Sequence, residues 1–166
     1  LAPMAARADQ PTVDRLSAHV AGNTVEVNIN NYVAAETAGQ FDRILKMTGG
    51  VNKLRSFREP TPLDKQSVIR MNRDTLYSFA VVDISKGAKL IMPDAGGRYN
   101  SAMIVNEDEY INKVFYEPGT HDLTTDEFDT DYVLVAFRTL VDSSDPADIK
   151  TANDLQDQFK IEAGSA

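Results

Sequence analysis

From Asn23 to Ile29 (N-T-V-E-V-N-I) apolar and polar residues alternate, which puts Val25, Val27 and Ile29 on one face of a half-buried strand. The period then changes. Val33, Ala34, Ala38, Phe41, Ile44 and Leu45 form the apolar stripe of a helix from about Tyr32 to Met47. Asn30 or Asn31 can cap its start by accepting a bond from an orphan amide, and Gly49-Gly50 ends it. Pro60 and Pro62 rule out a central strand and predict a rigid extended loop. Ser67–Met71, Thr75–Ile84 and Lys89–Met92 read as strands, followed by a tight turn at Pro93–Gly97. Arg98–Val105 alternates Tyr99, Ser101, Met103 and Val105 against Arg98, Asn100, Ala102 and Ile104. Tyr110–Tyr116 and Tyr132–Val141 predict two further strands around a polar, acidic loop. Asp145 caps a second helix, Pro146 takes its first position, and Ile149, Ala152, Leu155 and Phe159 give it an apolar face.

Short strands at near-regular spacing, without βαβ alternation, predict an α+β, β-rich fold. The expected architecture is a mainly antiparallel sheet or sandwich with one helix near each end. At 166 residues, 42% of them apolar, the chain fits one domain. Its expected organisation is an N-terminal arm or signal-peptide remnant over residues 1–12, a single domain over 13–162, and a small tail over 163–166.

The formal net charge of −8 argues against nucleic acid, whose binding needs a basic surface, and against an anionic membrane. No apolar run approaches the roughly 20 residues of a membrane span. Without cysteine there is no disulfide, no thiolate zinc site and no cysteine nucleophile. Ala6-Arg7-Ala8 before Asp9 has the small-x-small form of a signal-peptidase site, so the expected compartment is periplasmic or extracellular.

The densest polar cluster is Arg70, Asn72, Arg73 and Asp74, close to Arg58 and Tyr77. Arginine there can grip a carboxylate or phosphate through two parallel charge-assisted bonds. The plainer reading makes Asn72 and Asp74 turn formers and pairs the arginines with Asp64 or Glu59. Asp126, Asp129 and Asp131 crowd one loop with Glu127, and oxygen-rich acidic ligands suit Ca²⁺. The spacing matches no complete EF-hand, so a solvated acidic loop is the preferred reading, with no cofactor expected. Of the two histidines, His19 and His121, only His121 beside Asp122 suggests a catalytic triad. Adjacent strand residues point to opposite faces, and no G-x-S-x-G is present, so a loop histidine without catalytic role is expected.

Taken together, R-E-P-T-P-L-D (Arg58–Asp64), R-M-N-R-D-T-L-Y-S (Arg70–Ser78), P-D-A-G-G-R-Y (Pro93–Tyr99) and F-Y-E-P-G-T (Phe115–Thr120) resemble the domain-of-unknown-function family numbered 1254. That family occurs in bacterial proteins that are often exported. The resemblance implies a β-rich fold over roughly Val25 to Gln158 and transfers no catalytic residue. Many relatives carry a following domain, the family numbered 1214, and the expectation here is a protein without it. An Asp-His-Tyr common among relatives stands here as Asp108-Glu109-Tyr110.

Three functions are then open. The first is an exported, non-catalytic domain that self-associates into a homo-oligomer or filament through its N-terminal arm, its partner being itself. The second is a binding module for a small anionic or sugar ligand. A hydrolase ranks last, because no nucleophile or metal set stands out.

Overall fold

The structure, a computed structural model, describes residues 26–66 and 69–165. The N-terminal arm and its cleavage motif lie outside these residues, as do His19, Ser67 and Val68. Among the described residues eight strands form two sheets and every paired neighbour is antiparallel. The strands are β1 (Arg55–Ser56), β2 (Thr75–Asp83), β3 (Ala88–Met92), β4 (Asn100–Asn106), β5 (Ile111–Phe115), β6 (Gly119–Leu123), β7 (Tyr132–Leu140) and β8 (Lys160–Ala163). The larger sheet has the order β1-β2-β7-β4-β5 and the smaller one β6-β3-β8. Among the described residues three α-helices accompany them: α1 (Tyr32–Thr48), the one-turn α2 (Thr125–Phe128) and α3 (Pro146–Gln156). The expected β-rich α+β fold is the fold observed.

Alternation decides what lies between the sheets. Ala80, Val82 and Ile84 from the β2 side, Ala102 and Ile104 of β4, and Val133, Val135 and Phe137 of β7 all face inward. They meet Leu90 and Met92 of β3, Leu123 of β6, and Phe159, which stacks on Phe137 at 4.1 Å. The opposite face of the large sheet is also partly covered. Val81, Val105 and Ala136 point away from this core yet are buried, and α1 packs against β2. Two covered faces explain why β2 and β7 are nearly continuous apolar runs rather than clean alternations.

Helix α1 buries Thr37 and Phe41 and ends at Gly49, whose positive φ of 83° turns the chain while its amide bonds Leu45 O. Asn31 does not cap it through its side chain. That carboxamide instead braces a turn, accepting from Asn28 N at 2.7 Å and donating to Glu26 O. The expected strand at Asn23–Ile29 therefore fails over its described part: residues 26–31 are this Asn-locked turn, and Ile29 is exposed.

Other expectations also change. Ile69, Arg70 and Met71 form a turn and coil instead of a strand, with Arg70 at a left-handed φ of 56°. The tight turn at Pro93–Gly97 forms, with Arg98 N bonding Ala95 O, but it joins strands of different sheets and carries the chain across the sandwich. The stretch Gly119–Leu123 is the strand β6, which the sequence reading left as loop, and it pairs with β3. Helix α3 begins as expected, with Asp145 accepting from Ala147 N at 2.8 Å, but stops at Gln156. Residues 160–163 then pair with β3 as β8, so Ala163, assigned to the tail, is held in a sheet.

Candidate functional site

The registers put one row of side chains across the outer face of the large sheet, beyond the part covered by α1. Tyr77 of β2 lies opposite Arg138 of β7, and Arg138 lies opposite Ser101 of β4. Directly opposed residues of antiparallel strands share a face, so these three form a line. The adjacent row is Phe79, Ala136, Met103 and Val114.

Aromatic rings build this surface. Tyr77 stacks on Phe79, 5.7 Å between centroids at 8°, and Phe57 meets Phe79 edge-on at 6.1 Å. The guanidinium of Arg138 sits over the Tyr77 ring at 5.4 Å. At the other end Tyr99 and Tyr116 are 6.2 Å apart, and the Tyr99 hydroxyl is 3.0 Å from Ser101 Oγ. From β2 to β5 the face crosses three inter-strand steps of about 4.8 Å each.

Asn72 edges the row. Its Nδ2 donates to Thr75 Oγ1 at 3.0 Å and Tyr77 Oη at 3.2 Å, while its Oδ1 accepts from Asp74 N at 2.8 Å. Asn72 is thus the turn former the sequence suggested and also fixes the Tyr77 phenol. Half-buried Arg73 and Arg138 differ from the other described arginines in one respect. The Nε of each is buried without a hydrogen-bond partner, and among the described residues neither has an ion-pair partner.

The remaining sequence candidates disperse. Arg58 binds the Asp157 carboxylate and Asn153 O beside α3, and Asn153 Nδ2 returns a bond to Arg58 O. It belongs to the joint between the proline loop and α3, away from the Tyr77 face. Arg70 is exposed on its turn, and the Asp74 carbonyl accepts from Val141 N. The expected arginine pairings with Asp64 or Glu59 are not formed.

The acidic loop is not assembled as a metal centre. Asp126 lies in the first turn of α2, Asp129 is that helix's left-handed C-cap, and the Asp131 carbonyl accepts from Ile84 N. Among the described residues no three His, Cys, Asp or Glu converge on a point that a metal ion would occupy. His121 lies on β6, stacks on Phe115 at 4.2 Å and holds Glu117 O at 2.9 Å. It is a strand residue, not a loop one, and it faces Leu90 across the pair with β3.

A second polar recess, about 640 Å³, is lined by Asp74, Arg98, Leu140, Val141, Asp142, Asp145 and Asp148. Arg98 and three of the recess's four carboxylates are already engaged. Arg98 binds Asp148 through both carboxylate oxygens and also Leu140 O, Asp142 accepts from Ser144, and Asp145 caps α3. The Arg98 hydrogen bonds, helped by one from Asp142 N, hold the Asp148 carboxyl down to about 2. This recess is a structural joint.

Sequence reasoning found Asn72, Arg73 and Tyr77 and missed Arg138, Phe79 and Tyr116. The i,i+2 spacing of Tyr77 and Phe79 was a legible signal; nothing local announced Arg138.

Residues 51–122 match the family model described as "Protein of unknown function (DUF1254)". The matched segment is less than half of the chain. It runs from the turn before β1 to β6 and includes Asn72, Arg73, Tyr77, Phe79, Tyr99 and Tyr116, with Arg138 beyond it. No curated protein matches the chain. The fold is similar to that of the crystal structure of the VPA0106 protein from Vibrio parahaemolyticus, with a TM-score of 0.62 at 17% identity. The likeness covers 80% of this chain and 35% of that one, so this chain spans well under half of that protein's length.

Proposed function

We propose that this chain is a binding module whose ligand is a saccharide lying on the outer sheet face. The carrying observation is the stacked Phe79–Tyr77–Arg138 row, flanked by Phe57 and by the Tyr99–Tyr116 pair. A pyranose ring has one apolar face of C–H groups and a rim of hydroxyls. Aromatic faces take the first, and Asn72, Arg73 and Arg138 supply hydrogen bonds for the second. Tyr77, Phe79 and Arg138 stand on strands, which hold side chains more rigidly than loops do and lower the ordering cost of binding. Titration calorimetry with di- and trisaccharides tests this reading. Binding should be lost in Tyr77→Ala while the thermal midpoint stays close to the parent's. Binding that survives Tyr77→Ala, or absence of binding to every saccharide, overturns it.

A second reading, self-association, has one observation in its favour. The edge strand β5 begins at half-exposed Ile111 beside half-exposed Tyr110, and an unpaired edge accepts an added strand. Against it stand Lys113 on that edge and the register shift between Ile104 and Val105, both devices that discourage edge pairing. Export and an arm-mediated filament remain part of this reading. Light scattering across a concentration series decides, and a monomer at the highest concentration removes it.

A further inference from the structure

We infer that the saccharide is an acidic one, a uronate whose carboxylate is received by Arg138 together with Arg73. This rests on the saccharide reading above and goes further by fixing the ligand's charge.

The inference starts from pairing. The chain has 25 acidic residues against 17 basic ones, so acidic partners for an arginine are plentiful. Arg58 and Arg98 have taken them. Arg73 and Arg138 have not, although each buries its Nε without a partner. A half-buried guanidinium without a carboxylate partner is costly, and a carboxylate can take its two terminal Nη groups in parallel while the Nε stays buried. Both arginines lie toward the same end of the sheet. Arg73 precedes Asp74, whose carbonyl bonds Val141 N, and Arg138 stands two residues before Leu140, the register partner of Thr75.

The aromatic row then selects among anions. Inorganic phosphate or sulfate has no apolar face to lay on Tyr77 and Phe79, whereas a uronate carries its carboxylate at the edge of a stackable ring. The Arg138 guanidinium sits over the Tyr77 ring, 5.4 Å from its centroid, beside the place where the edge group of a sugar on this face arrives. A protein of net charge −8 repels anions at long range, so specificity must come from this short-range pair.

The test uses the full chain with an oligogalacturonate, its methyl ester as the uncharged ring-matched control, and inorganic phosphate. The acid should bind at least tenfold tighter than the ester, with affinity falling as salt rises, and phosphate should not compete. Arg138→Met should bring acid and ester to the same affinity; Arg138→Lys should restore part of the preference. Thermal melts of the variants show that the domain is folded. Equal binding of acid and ester by the parent overturns the uronate assignment and leaves the saccharide face standing. Undiminished acid preference in both Arg138→Met and Arg73→Met also overturns it. If neither sugar binds, both readings fall together.

Discussion

Gln156 is the most informative single position for stability. Its carboxamide is buried at the end of α3 and ties three segments together. The Nε2 group faces Phe57 O at 3.2 Å, Tyr77 O at 3.3 Å and Ser78 Oγ at 3.2 Å, so two protons are shared among three acceptors. Ser78 Oγ in turn donates to Ser56 Oγ at 2.7 Å. Tyr77 O also accepts from Phe57 N at 2.8 Å, so it loses little when Gln156 goes. The Phe57 carbonyl loses the donor it has now, a cost of roughly 1–3 kcal/mol. Gln156 Oε1 has no partner, and removing it in Gln156→Leu recovers part of that cost. The net expectation for Gln156→Leu is about 1–2 kcal/mol of destabilisation. Gln156→Glu should be far worse, about 3 kcal/mol or more, because it points an acceptor oxygen at three acceptors and buries a charge. Burial raises the introduced carboxyl's pKa in the folded state. The Glu variant's deficit therefore grows as pH rises above about 4.3 and shrinks below it. Urea denaturation of the three proteins at pH 7 and pH 4 measures both effects. A Glu variant as stable as the Leu variant at pH 7 would refute the donor assignment and the network built on it.

Phe41→Ala removes the ring that anchors α1 to the sheet and should cost about 3–5 kcal/mol by denaturant unfolding. A loss under about 1 kcal/mol would mean the helix contributes little packing there. Acid should strip one specific linkage. Asp148 is held at about 2 against an ordinary 3.8, so its contribution is present above the ordinary value and lost as pH falls from about 4 to about 2. Arg98→Met should abolish that portion of the acid unfolding profile, and an unchanged profile contradicts the assignment. At Gly164 an added Cβ would stand 2.4 Å from Lys86 O and 2.9 Å from Gly87 O. Gly164→Ala should therefore separate the end of β8 from the β2–β3 turn, seen as faster amide exchange at Gly164, whose amide now bonds Gly87 O.

What the sequence determined by itself was the set of strongly periodic elements. Phe41 and its neighbours recur at helical spacing, and residues 75–83 and 132–140 are rich in β-branched and aromatic residues, so local preference and burial agree. The Asp145-Pro146 start of α3 was equally legible, because a cap depends on residues adjacent in the chain. Where elements form through distant partners, the sequence was silent. Residues 119–123 and 160–163 carry no clear alternation of their own and become strands because β3 lies between them with both edges open. The Asn28–Asn31 turn replaced an expected strand because short polar side chains bonded nearby amides and a nearby carbonyl more readily than a distant ladder. The candidate site divides the same way. Asn72, Arg73 and Tyr77 lie within one motif and were visible in it, whereas Arg138 is 61 positions beyond Tyr77 (138 − 77) and joins it only through the β2–β7 register. Arg58, close in sequence to the same motif, was drawn instead to the end of α3 by Asp157 and Asn153. Proximity along the chain fixes caps and turns, but a binding face is set by which strands pair, and pairing is decided by burial summed over the whole sandwich.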